Sequence, residues 1–299
     1  MQKTFTQLAT DYTTLSRDAS EANLALGKSL MNTFIKKVLV ARDWVFNRSS
    51  YTDLSVADQQ AYPIPYNSER IRNIKVTASS INYFPEEVKS RKQWNSLNRT
   101  TTPTSSDAVV KYFIEEDQVE FWPIPASDGN NIKFYFQKLI KDLSVADYTT
   151  GTITTSPAYS TAIVSTSPLT AWTVAMIGRH LVPTDDGYAY EIESVETASA
   201  LTVKREVRLK LANSAYNIAE MIPLPFGFED LPLWFALGIY FQSKEGQITQ
   251  AREYERMARE GLEGLLRRDA KSTDSILTKS DLADVNGLID VNKFPDSIV

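Results

Sequence analysis

Cysteine is absent from the 299 residues, and histidine occurs once, as His180. The first absence excludes disulfides, thiolate zinc sites, iron–sulfur clusters and cysteine nucleophiles. With one imidazole, a transition-metal site would need carboxylates almost alone, so catalytic zinc is excluded and no cofactor or metal is expected. Glycine is also scarce, at 11. The sequence holds no P-loop, no G-x-G-x-x-G turn, no D-x-D-x-D-G calcium loop and no G-x-S-x-G nucleophile elbow. No run reaches the roughly 18 apolar residues of a membrane span. The opening MQKTFTQLATDY lacks the basic flank and apolar stretch of a signal peptide, which predicts synthesis in the cytoplasm.

What remains is an ordinary globular mixture, 42% hydrophobic and 23% charged, so most of the chain is expected to pack into a core. The net charge of -5 predicts no tight general grip on DNA, which calls for a basic domain or stripe.

Leu24, Leu26, Leu30, Met31, Phe34, Ile35, Val38 and Leu39 recur at three- and four-residue steps and predict a long amphipathic helix. Ser20 is its candidate N-cap, and Thr4 or Thr6 is placed to cap a short preceding helix ending near Leu15. After Asn47 the pattern turns to alternation. Strands are predicted over 70–76, 109–114, 118–122 and 132–137, with Ala126–Asn131 as a turn cluster. Asp53-Leu-Ser-Val-Ala-Asp58 is echoed by Asp142-Leu-Ser-Val-Ala-Asp147, and an S-x-x-D start suggests one helical turn in each copy, capped by Ser55 or Ser144.

Residues 150–206 read as a separate block of short β-branched runs with a tight turn at Asp185-Asp-Gly187, implying a small inserted barrel. Pro223–Pro232 is too proline-rich for regular structure. Leu233–Ser243 reads as a buried helix, and 248–268 carries a stripe of Ala251, Tyr254, Ala258, Leu262 and Leu265. Residues 270–299 hold only scattered apolar anchors, the pattern of a tail that orders on a partner.

The expected fold is α+β. N-terminal helices (1–48) pack with C-terminal helices (223–269) in a bundle, beside a central antiparallel β domain (49–149 and 207–222), an inserted barrel (150–206) and a docking tail (270–299). Chemistry finds little purchase on it. His180 reads as a surface residue of the barrel. Glu115-Glu116-Asp117 with Glu120, and Asp185-Asp186, are paired acids that could serve a cell-wall lytic enzyme, but charged hairpin turns explain them better, and no catalytic residue is assigned. The basic run Lys89–Lys92 followed by Trp94 could bind single strands, although a solvated helix face or subunit contact suits it better.

The order of these pieces resembles tailed-phage head-to-tail adaptors, specifically the tail-tubular-A-like neck adaptors of podophages. The resemblance runs through Ala41-Arg-Asp-Trp-Val-Phe46, Gln60-Ala-Tyr-Pro-Ile-Pro65 with Arg70–Val76, Val119-Glu-Phe-Trp-Pro-Ile-Pro125 with Ile132–Lys138, and Pro223–Pro232 leading to Ala251-Arg-Glu-Tyr-Glu-Arg-Met257. Thr170–Thr173, Met176–Arg179, Tyr190–Val195 and Ala200–Val203 are similar to a small β module of phage structural proteins. The resemblance implies a virion protein of the neck, without enzymatic activity, forming a ring of about twelve copies. The ring would dock on the portal protein, receive a downstream tail or nozzle protein, and let genome DNA pass without sequence-specific binding. Leu288, Ile289, Phe294 and Ile298 are the candidate portal-docking residues. A tail tube, baseplate or fibre-attachment protein is the alternative within phage particles.

Overall fold

The computed structural model describes residues 3–65, 67–143, 146–155, 160–166 and 171–273, apart from 101–104 and the side chains of 98–100 and 271–273. The fold mixes helices and sheets in two compact units, Asp43–Lys141 and the combination of Met1–Arg42 with Asp142–Val299.

In the larger unit, α1 (Phe5–Ser16) starts at Thr4, whose hydroxyl accepts from the Gln7 amide while the Gln7 side chain accepts from the Thr4 N–H. This reciprocal pair satisfies two of the donors that every helix start leaves open. A left-handed Arg17 ends α1, and α2 (Glu21–Ala41) starts at Ser20, whose hydroxyl accepts from Asn23 N–H. Asn23 is buried and locks the corner: it accepts from the Tyr12 hydroxyl at 3.0 Å and donates to Ser16 Oγ and Asp18 O. The two helices approach closely because Gly27 of α2 has no side chain. A Cβ there would sit 2.4 Å from the Tyr12 ring, which is fully buried.

α4 (Leu231–Gln242) begins with Pro232 in its first turn and is apolar on nearly every face. It is covered by α1, α2 and α5 (Ile248–Thr273). Phe34 of α2 meets Phe235 at 4.8 Å, Tyr12 of α1 meets Tyr240 edge-on at 6.0 Å, and Tyr254 of α5 stacks on Phe241 at 5.6 Å.

Between these helices the chain runs through β9 (Ile153–Thr155), β10 (Ala162–Ser165), β11 (His180–Pro183), β12 (Tyr190–Thr197), β13 (Ala200–Val203) and β14 (Tyr216–Ala219). They form one sheet in the order β14-β11-β12-β13-β10-β9. It curls into a half-barrel around Trp172, Ile192, Leu201, Val203 and Ile218. The segment before β14 approaches the other edge: Ile153 and Ser214 exchange both backbone bonds, and Thr155 N–H donates to Leu211 O. β14 lies in the 207–222 segment expected beside the central strands, yet it pairs with β11. Four residues carry no sign of their partner strand, so that pairing is set by tertiary contacts. Inside, Trp172 donates to the Tyr216 hydroxyl at 2.9 Å, and that hydroxyl donates to Thr150 O at 2.6 Å. Burial pushes the Tyr216 phenol up to about 12, and burial with the Asp186 carboxylate does the same for Tyr190.

The smaller unit comprises β1 (Arg48–Leu54), β2 (Ala61–Pro63), β3 (Ser68–Ala78), β4 (Ile81–Tyr83), β5 (Glu86–Glu87), α3 (Arg91–Thr100), β6 (Lys111–Glu115), β7 (Gln118–Trp122) and β8 (Asn131–Lys138). Its sheets, β1-β8-β3-β4 and β2-β7-β6-β5, share one core in which Ile74, Val76, Phe134 and Phe136 meet Tyr62, Tyr112, Val119 and Phe121. Strict alternation in β7 and β8 drives this, since one face of each strand is apolar and must be covered. Ser55 does not cap a helical turn. Its hydroxyl donates to Ser127 O and accepts from Asn130 N–H, pinning the β7–β8 turn. Ser144 lies outside the described residues.

Two outcomes follow. Gly27→Ala should lower the urea midpoint by an amount equivalent to about 2 kcal/mol through overpacking against Tyr12. Gly238→Ala should hold or raise it, because that Cβ would meet only ordinary contacts at 3.6 Å or more and gains helix propensity. For pH, a phenol whose pKa is raised on folding contributes stability that is complete below its unfolded value, about 10, and lost as pH rises. Chemical denaturation should therefore show stability falling between about pH 10 and 12, and Tyr190→Phe should flatten that fall.

Candidate interaction surfaces

Among the described residues, no three histidine, cysteine or acidic side chains gather as a metal site would require. No described helix is long and apolar enough to cross a membrane.

The acidic group at 115–120 occupies the β6–β7 hairpin, with Glu116 left-handed at its tip (φ 51°). Glu115 and Glu120 face outward, opposite Gln118 and Phe113. Both are engaged by α3. Arg91 pairs with Glu115 and reaches Glu120 at 3.8 Å, and the Trp94 indole N–H donates to Glu120. The same helix covers the apolar part of this sheet face. Trp94 is 1% exposed and stacks on Phe113 at 5.7 Å, and Arg91 lies over that ring at 5.3 Å. Arg91 and Trp94 thus form a latch within their own unit, with Trp94 unavailable to a nucleic-acid base. Sequence periodicity missed α3 because Trp94 and Leu97 are its two apolar side chains, and three-residue spacing over one turn signals little.

Asp185 and Asp186 sit in the turn between β11 and β12, where Gly187 takes φ 68°. Asp186 accepts from the Tyr190 hydroxyl, which accepts from the Arg208 N–H at 3.1 Å. His180 is half-buried in β11, in register with Glu191 and Ala219.

Next to it lies a group that motif searching did not find. Arg179 is 8% exposed, and its guanidinium donates to Ala146 O and Ile218 O, both at 2.7 Å. Burial lowers its pKa. Asp147 accepts from Thr6 Oγ1 at 2.8 Å, Thr4 Oγ1 at 3.3 Å and the Asn217 amide at 2.7 Å. The Phe5 N–H donates to Glu220 O beside them. This cluster fastens the start of α1 to the half-barrel. Thr4 and Asp147 alone lie 143 positions apart, so local sequence gives no sign of the cluster.

The outward side of α5 is a ladder of opposite charges. Arg256 pairs with Glu253 and Glu260, Arg259 with Glu255, and Arg267 with Glu263. Spaced three and four apart, these pairs neutralise one another on a solvated face. Beyond α5, Leu288, Ile289, Phe294 and Ile298 lie outside the described residues.

The family model described as SU10 adaptor protein matches residues 3–166. The match takes in α1, α2, the whole smaller unit and the first two strands of the half-barrel. No curated protein matches the chain.

If α3 is a latch, Trp94→Ala should destabilise the smaller unit by about 3 kcal/mol. Arg91→Ala should cost less than about 1 kcal/mol, because its pairs are about half exposed to solvent screening. Urea unfolding of each variant reads both, and equal losses would contradict the assignment.

Proposed function

The chain belongs to the SU10 adaptor protein family, a phage head-to-tail adaptor family, and from that membership we propose a ring-shaped structural protein of the virion neck. In this reading about twelve copies dock on the portal, receive the tail and surround part of the channel through which genome DNA passes. The observation that carries it is the family match over residues 3–166. The family points to a structural role without catalysis, and the engagement of Glu115, Glu120 and Asp186 by neighbouring groups supports that reading.

Portal docking is assigned to residues 270–299, with Leu288, Ile289, Phe294 and Ile298 as anchors. A segment with too few apolar residues for a core of its own can still bind when a groove supplies the missing surface. The helices formed by the two ends of the chain supply the body of the ring, and the half-barrel is carried as an accessory module.

Removal of 274–299 should spare folding, read as an unchanged thermal transition, and abolish binding to purified portal. Replacing Leu288, Ile289, Phe294 and Ile298 together with serine should reproduce the loss. Co-sedimentation with portal measures both, and full binding by the truncated chain would overturn the docking assignment.

A further inference from the structure

The outer face of the β1-β8-β3-β4 sheet has a sign of charge that the chain as a whole does not. Ile132, Phe134 and Phe136 of β8 turn inward to the core, so the alternate positions turn outward. Register then gives two cationic rows. Arg48, Gln137 and Arg70 lie side by side in one, and Thr52, Lys133 and Lys75 in the other. The rows stand four residues apart, about 13 Å along the strands, with Tyr135 between them.

No carboxylate occupies a paired outward position on these strands. Asp43 reaches Arg48 and Arg72 from the side, and Glu69 sits in the bulge beside Arg70. Lys75 and Lys133 are the centre of the face. They are direct cross-strand partners, an arrangement of like charges that destabilises a sheet. Lys133 does lie 5.3 Å from the Tyr135 ring, but no described acid pairs with either lysine. Two opposed lysines retained at a cost to stability, in a chain of net charge -5, call for an anion supplied from outside.

We propose that this face contacts the sugar-phosphate backbone of duplex DNA, weakly and without reading sequence. Apart from Leu54, Tyr135 and the buried Gln137, the outward positions between the cations are serine, threonine and asparagine, side chains that join lysine and arginine on phosphate oxygens. A duplex carries one charge per about 1.7 Å, so rows about 13 Å apart can both engage it. A carboxylate-bearing protein surface fits less well, because many acids of this chain are already paired internally. The inference rests on the adaptor reading for the presence of DNA nearby. It adds a surface that holds the duplex loosely, whereas an acidic wall would repel it.

The test is fluorescence anisotropy of a labelled 30-base-pair duplex with the full chain between 50 and 200 mM NaCl. With Arg48 held by Asp43, Arg70, Lys75 and Lys133 predict a log–log salt slope of about -3. Lys75→Glu should weaken binding about tenfold and reduce the slope by about 1 or more, and Lys133→Gln should reduce it by about 1. Lys75→Glu replaces a repulsive pair with an attractive one, so its thermal midpoint should equal or exceed that of the parent. No binding at 50 mM NaCl, or a slope that neither substitution changes, would overturn the proposal. Salt-sensitive self-association without DNA, lost in Lys75→Glu, would also overturn it and make a second copy the partner. Portal co-sedimentation of Lys75→Glu should stay intact, and loss of docking by the parent chain would count against the adaptor reading alone.

Discussion

Asp147 brings three distant stretches of chain to one point: the first residues of α1 through Thr4 and Thr6, the entry to the half-barrel, and β14 through Asn217. Arg179 completes the junction from beneath by donating to the carbonyls of Ala146 and Ile218. Buried polar groups of this kind are costly unless satisfied together. The consequence reaches the helices. α1 and α2 come from one end of the chain and α4 and α5 from the other, and they pack together because this junction returns the chain to its start. Without it, the apolar α4 would lose the positioning of α1 over Tyr240.

Local chemistry made much of the fold legible. Thr4 and Ser20 announced two helix starts because a cap acts on donors two or three residues away. The β7 and β8 strands were readable because alternation is a property of the strand itself. The turns at 115–117 and 185–187 were readable from their own residues, clustered acids between two strands in one and Asp-Asp-Gly in the other. Pairings across the chain were not legible. β14 joins β11, Ser55 pins a turn some 72 positions away, and α3 is held by stacking on Phe113, none of which leaves a local periodic trace. At the level of a phage head-to-tail adaptor, though not of the podophage subtype, the family was legible in the order of its motifs, while the half-barrel and the C-terminal helices lie mainly beyond the matched residues.

Charge is sorted by register more than by composition. On α5, opposite signs at helical spacing cancel, and on the β6–β7 face Arg91 offsets part of the charge of Glu115 and Glu120. On the β1-β8-β3-β4 face, two strands that each carry a lone outward lysine are brought together by their pairing, so a basic row arises that neither strand contains. The net charge of -5 would suggest a surface that DNA avoids. Register shows that the average hides a face of the opposite sign.

The claim on which the rest turns is that copies of this chain form a ring on the portal. Electron microscopy of the purified protein mixed with portal tests it most directly. The account predicts portal particles capped on one face by a closed ring of uniform copy number. Bare portal particles beside stacked tubes of this chain would contradict it.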